Sequence, residues 1–217
     1  MKQEDYKYKP IPATFDGVKY RSRTEASWAM LFSYDVHCHI VYEPEGMQLK
    51  TGPYLVDFYD EKNDYFIEIK ANKDFVKGSI EKFISFTMET EKDLMVVPGR
   101  PPTPFQFSCS SRYLNEDFAT WLKDDLDCSS LKLRFYKGEV IIEPGYFFTC
   151  CSDCGRGAFS LRGDYRKASH PEHCYFYCSP FYRVKLKSGA YIDFDESCSK
   201  SYAQQYEITQ GRLFARK

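Results

Sequence analysis

"YLVDFYDEKNDYFIEIKA", residues 54–71, has the outline of a β-hairpin: two apolar-rich runs flank a polar turn of Asp60, Glu61, Lys62, Asn63 and Asp64. Three charges interrupt that outline, Asp57 in the first run and Glu68 and Lys70 in the second. A charge inside a strand costs stability unless it is paired, solvated or used. Side chains alternate along a strand, so Leu55, Asp57 and Tyr59 share one face of the first run, and Phe66, Glu68 and Lys70 share one face of the second. A turn centred near residues 62 and 63 makes paired positions sum to 125, which sets Asp57 opposite Glu68 and Lys70 one diagonal step away. Opposed Cβ atoms in an antiparallel pair are about 4.5–5.5 Å apart. Two carboxylates that close repel unless a proton or a cation lies between them. A hard divalent cation such as Mg²⁺ suits an oxygen pair of this kind. The competing reading is a solvated surface hairpin with Asp57 paired to Lys70, which is the safer one for a hairpin taken alone.

A third carboxylate lies upstream. In "SRTEASWAMLF", Ser22 and Glu25 have capping-box spacing, which predicts a helix beginning at Ser22. Trp28, Ala29 and Phe32 follow Glu25 on one face, so Glu25 leads an apolar stripe directed at the sheet. A local cap explains Glu25 equally well, and the two roles are compatible. A strand near residues 40–43 and a turn at Pro44 to Gly46 precede the hairpin. A second helix is expected over 75–91, with Val76, Ile80, Phe83, Ile84 and Thr87 on one stripe, then a buried strand at 94–97 ended by "PGRPPTP". A third helix is expected around Leu114, Phe118, Trp121 and Leu122. Helix, strands, helix, strand, helix is the order of a mixed α/β sheet with helices packed on it. After about residue 130 the pattern changes to short hairpins, with turns at Lys137-Gly138 and Ser188-Gly189. A last helix is expected from about residue 201 to 214, and a soft boundary near 130–145.

The 217 residues are 43% hydrophobic and 18% aromatic, enough to bury a core. No apolar run approaches a membrane span and the polar start is unlike a signal peptide, so an intracellular, cytoplasmic protein with no membrane partner is expected. The net charge of −1 is unevenly spread. Residues 1–145 carry 19 Lys/Arg against 24 Asp/Glu, whereas residues 146–192 carry 7 against 3. The basic segment is also the cysteine-rich one.

Taken together, "YRSRTE", "YLVDF" and "IEIK" resemble the three signature segments of the PD-(D/E)XK nuclease superfamily, covering about residues 15–100. The resemblance extends to the phage junction-resolving endonuclease I type and to transposon-end-cleaving nuclease subunits, which share the helix-first layout. "VYEPEG" also resembles the strand that precedes the aspartate in such proteins. Val56 stands where the name-giving proline usually lies and Ala71 where glycine is common; neither position supplies a catalytic side chain. The resemblance implies a restriction-endonuclease-like core over residues 1–130 and Mg²⁺-dependent (or Mn²⁺-dependent) cleavage of DNA, in a phage or mobile-element setting. It also implies the roles. Asp57 and Glu68 would hold the metal with the Ile69 carbonyl, and Glu25 would complete a second metal position or orient a water. Lys70 would act on the attacking water, and Arg21 and Arg23 would contact the phosphate backbone. The arginines are as readily ordinary surface residues. Paired cuts would need a homodimer, which no feature of the sequence requires.

Five of nine cysteines fall between residues 150 and 178. Cys151-x₂-Cys154 and Cys174-x₃-Cys178, 19 residues apart, suit tetrahedral Zn²⁺, and an odd count with local clustering favours metal over disulfides. Cys150 can replace Cys151, and His170 or His173 can replace Cys174. Four protein ligands leave no open position, so such a zinc would be structural. Arg156 and Arg162 lie on the intervening loop and are candidates for DNA contact. Residues 131–217 are therefore expected to form a β-hairpin and zinc-binding module with a C-terminal helix. The rival to a nuclease is a non-catalytic module on the same fold, binding nucleic acid or protein.

Overall fold

The computed structural model describes residues 10–33, 39–102, 117–125, 127–150, 157–161, 182–185 and 191–194. The expected zinc ligands Cys151, Cys154, Cys174 and Cys178, their alternatives His170 and His173, Arg156, Arg162, Leu114 and the expected last helix lie outside these residues.

A first hairpin pairs β1 (Ala13–Phe15) with β2 (Val18–Tyr20). Its turn residues Asp16 and Gly17 both have positive φ, the conformation that Asp-Gly adopts in a two-residue hairpin loop. Helix α1 (Arg23–Phe32) follows, capped by Ser22, whose side chain accepts the Glu25 N–H. Every residue from Glu25 through Phe32 is buried, so the helix is covered all round rather than along the single stripe that periodicity predicts.

Strand β3 (Ile40–Tyr42) leads to a separate two-stranded sheet, β4 (Gly46–Leu49) with β5 (Gly52–Leu55). This corrects one expectation. Residues 54–60 are not one strand: Gly52–Leu55 pairs backward with Gly46–Leu49, the chain breaks pairing at Val56 and Asp57, and β6 (Phe58–Asp60) then enters the main sheet. Leu55 accordingly sits at the surface instead of sharing a face with Asp57 and Tyr59. The hairpin register is as expected: β6 pairs with β7 (Tyr65–Lys70) through Phe58–Ile67, Tyr59–Phe66 and Asp60–Tyr65, all summing to 125.

Helix α2 (Lys73–Thr90), capped by Asn72, carries the chain to β8 (Asp93–Pro98), which pairs parallel with β7. A short α3 (Phe118–Lys123) precedes β9 (Ser130–Tyr136), β10 (Glu139–Cys150) and β11 (Gly157–Leu161). Among the described residues the main sheet has seven strands in the order β11-β10-β9-β8-β7-β6-β3, and of these only β7 and β8 pair in parallel. The hairpin turn at Lys137-Gly138 has positive φ at both residues, and the later hairpin is present as β12 (Tyr182–Lys185) paired with β13 (Tyr191–Phe194).

Alternation along β7 and β8 sends Ile67, Ile69, Met95 and Val97 to one face, where they meet Trp28, Leu31 and Phe32 of α1. Phe66, Leu94 and Val96 go to the other face, against Val76, Phe83 and Phe86 of α2 and Trp121 of α3. The architecture is thus a mixed α/β sheet flanked by helices. The expected boundary near 130 falls inside this body. Leu131 and Leu133 of β9 are fully buried under α2, while Phe148 of β10 and Phe159 of β11 pack on Trp28 and Phe32 with ring centroids 5.1–6.4 Å apart. Strands 130–161 therefore complete the core rather than begin a second unit. Among the described residues, no helix is long and apolar enough to cross a membrane.

Candidate active site

Asp57 occupies the break between β5 and β6, where the strand leaves its ladder. Continuing the register would pair Val56 with Ile69, but the chain has already turned toward β5. The Ile69 N–H instead donates to Asp57 Oδ2 at 2.7 Å, so the carboxylate takes the place of the missing strand. On the other side, the Glu43 N–H donates to the Asp57 carbonyl at 2.8 Å. A strand residue presents its N–H and C=O along the same edge; the Ile69 carbonyl therefore faces the gap that Asp57 fills.

Glu68 follows on the face of β7 opposite Ile69. Asp57 and Glu68 are each only 3% exposed, which removes the surface-hairpin reading. Lys70 pairs with Glu68 Oε1, Nζ to O 2.5 Å, and its ammonium lies 5.5 Å from the centre of the Phe83 ring. The cation on Asp57 is Arg21, not Lys70. Arg21 Nη2 reaches Asp57 Oδ1 at 2.5 Å, and its Nε forms an ion pair with Glu43 Oε1 at 2.7 Å.

Glu25 joins the same cluster from α1. Its Oε1 accepts from Ser22 Oγ at 2.8 Å, and Oε2 accepts from the Tyr42 hydroxyl at 2.7 Å and from the Arg21 N–H at 3.2 Å. The Ser22 helix cap and the inward orientation of Glu25 hold at once, although the Glu25 carboxylate takes the Arg21 N–H rather than the Ser22 N–H of a full capping box. Arg21 thus ties Glu25, Glu43 and Asp57 together, while Arg23 is exposed on the first turn of α1.

The electrostatics are unbalanced. Burial, then the charges of Glu68 and Glu25, push the Asp57 carboxyl well above its ordinary range, against the opposing pull of the Ile69 N–H and Arg21. Burial disfavours charge on Arg21, but Asp57 foremost, with Tyr42, Glu25 and Glu43, holds the guanidinium protonated. Burial also raises the Tyr42 phenol, with Glu25 adding to it. Among the described residues, Glu68 Oε2 and the Tyr54 hydroxyl of this cluster are buried and make no hydrogen bond, and Glu43 Oε1 has its ion pair with Arg21 alone.

Among the described residues, no three His, Cys, Asp or Glu side chains converge as a ready-made metal cage. The donor set nevertheless fits a hard cation. Two mutually repelling carboxylates, an orphaned carboxylate oxygen and the carbonyl of Ile69 are all oxygen donors, the ligand type of Mg²⁺ and Mn²⁺. Arg21 occupies part of that space, with its side chain about half exposed at 51%.

The expected Glu25, Asp57, Glu68, Ile69 and Lys70 therefore come together, with Arg21 bridging Glu25 and Asp57. Tyr42, Glu43 and Tyr54 also belong here and were not singled out by sequence. Positive φ at Glu43, uncommon for a residue with a side chain, marks the spot where the strand bends into the site. Its only sequence signal is the place of "VYEPEG" before the hairpin. Comparison with known protein families, with curated proteins and with solved structures found no match.

Proposed function

We propose that this chain is a Mg²⁺-dependent (or Mn²⁺-dependent) endonuclease acting on DNA, with a restriction-endonuclease-like core of PD-(D/E)XK type. The observation that carries the reading is the burial of Asp57 and Glu68 side by side with one carboxylate oxygen unpartnered and Lys70 next on the same face. In this reading Asp57, Glu68 and the Ile69 carbonyl hold the cation, and Glu25 orients a water beside it. When bound, the cation supplies Lewis acidity, making water more acidic and offsetting charge on phosphate oxygens. Lys70 positions the attacking water and stabilises negative charge as the phosphodiester bond is broken. Arg21, displaced from Asp57, turns its guanidinium to a backbone phosphate, a contact that positions DNA without reading sequence. Cys151, Cys154, Cys174 and Cys178 are assigned to a structural Zn²⁺, and Arg156 and Arg162 to the DNA backbone. An intracellular setting, in a host cell if phage-encoded, goes with this activity, and a homodimer would allow paired cuts.

The test is incubation of the full-length protein with plasmid and with branched DNA, in Mg²⁺ or in EDTA. Cleavage that EDTA abolishes is expected, falling at least about 100-fold in Asp57→Ala. Wild-type protein that cuts no more than Asp57→Ala overturns the enzyme. Near-stoichiometric zinc in the purified protein is the matching expectation for the cysteine segment.

A second reading has its own observation. Both buried carboxylates already hold a cation, Arg21 on Asp57 and Lys70 on Glu68, as in a fold that keeps its charges paired without turning over a substrate. A non-catalytic module of this kind would bind branched DNA or protein and leave the DNA intact in the same assay.

A further inference from the structure

Two buried polar atoms without hydrogen-bond partners belong to one neighbourhood: Glu68 Oε2 and the Tyr54 hydroxyl. Tyr54 lies on β5, three residues before Asp57, and is 5% exposed. Its ring is held from two sides. Phe86 packs edge-on at 5.3 Å, and Lys82 Nζ sits 4.7 Å over the ring while donating to the Pro53 carbonyl at 3.2 Å. Phe86 also packs edge-on against Phe66, the residue before Glu68 on the same face of β7. The small β4–β5 sheet is further tied to α2 by the Lys50 N–H on the Glu89 carboxylate. The hydroxyl is therefore carried on a fixed ring to the interior end of the carboxylate cluster. Burial first, then the charge of Glu68, whose carboxylate is near enough to attract the hydroxyl without meeting the geometry of a hydrogen bond, and then Asp57 keep the phenol protonated.

Leaving a buried hydroxyl and a buried carboxylate oxygen beside each other without a well-formed hydrogen bond is costly, and a water bonded to both would satisfy each. We infer that Tyr54 is a positioning residue of the cation site, its hydroxyl hydrogen-bonding, together with Glu68 Oε2, a water in the hydration shell of a bound divalent cation. The inference rests on the metal-site reading given above and extends it inward, beyond the carboxylates. Mg²⁺ and Mn²⁺ sites of this type keep several waters, which need oriented partners.

The probe is Mn²⁺ alone, titrated into full-length wild type and Tyr54→Phe and followed by electron paramagnetic resonance, with thermal melts of both metal-free proteins. Phenylalanine keeps the ring against Phe86 and removes only the oxygen. The expected result is Mn²⁺ binding weakened about tenfold, with a metal-free melting temperature equal to or above that of wild type. Equal Mn²⁺ affinity in the two proteins overturns the role of Tyr54 while leaving the metal site standing. A lower metal-free melting temperature in Tyr54→Phe also overturns it, because the hydroxyl would then serve the fold directly. Wild-type protein that binds no Mn²⁺ removes the metal site itself, and this inference with it.

Discussion

Asp57 holds its proton more tightly in the folded chain than in an unfolded one, because burial and the neighbouring charges of Glu68 and Glu25 outweigh Arg21 and the Ile69 N–H. For a carboxyl whose folded pKa is raised, the stability it contributes is fully present below the unfolded value, near 3.8. That contribution is lost as pH rises from there through the folded value, since the folded state binds more protons across that window. Asp57→Asn removes the titration and retains an oxygen for the Ile69 N–H. The metal-free variant is expected to gain about 1 kcal/mol over wild type at pH 8, with the gain shrinking toward pH 4, as read from thermal melts across pH. A variant equally affected at both pH values would rule out Asp57 as the source of strain. At this scale the sequence discloses Asp57, Glu68 and Lys70 well, since alternation and register arithmetic use only neighbours along the chain. It does not disclose which cation meets which carboxylate. Arg21 reaches Asp57 across 36 residues, a distance that no local period encodes.

Helix α1 shows why elements with end signals are legible. Ser22 both accepts the Glu25 N–H at 3.1 Å and donates to Glu25 Oε1 at 2.8 Å, so one side chain fixes the helix start and one oxygen of a site residue. Ser22→Ala is expected to cost about 1 kcal/mol of stability, measured by urea denaturation, and Ser22→Thr to recover most of it. No change in the urea midpoint on Ser22→Ala would show that the cap is dispensable. The split between β5 and β6 was hidden for the opposite reason. Residues 54–60 alternate well enough for one strand, and what breaks them is the competing pairing of Gly52–Leu55 with Gly46–Leu49. Asp16-Gly17 was a readable turn signal, whereas the all-round burial of α1 depends on Phe148 and Phe159, far along the chain.

At the scale of the molecule, the change of texture after residue 130 is real in the sequence but does not divide the core. The character of a segment reflects its local turns; its membership of a core depends on which strand edge is vacant. β8 presents one edge to β7 and the other to β9, so the later strands close a surface that residues 1–129 leave open. Leu131 and Leu133 each bury a side chain worth about 1.5–3 kcal/mol, and removal of β9 would bare the β8 edge to other chains. A fragment of residues 1–129 is expected to lack a cooperative thermal transition by circular dichroism and to aggregate. A fragment that melts cooperatively would restore the boundary that composition suggests.

The break at Asp57 also bears on how this chain tolerates changes of length. Apposition of the two carboxylates is set by the three pairs from Phe58–Ile67 to Asp60–Tyr65, not by the four-residue turn that joins the strands. Residues added within 61–64 would lengthen a surface loop and leave the pairing unchanged. A single residue gained or lost inside β6 or β7 would reverse the faces, sending Glu68 toward α1 and Ile69 toward α2. Drift in this lineage is therefore free to rewrite the connector, but within either strand it can proceed only by substitution.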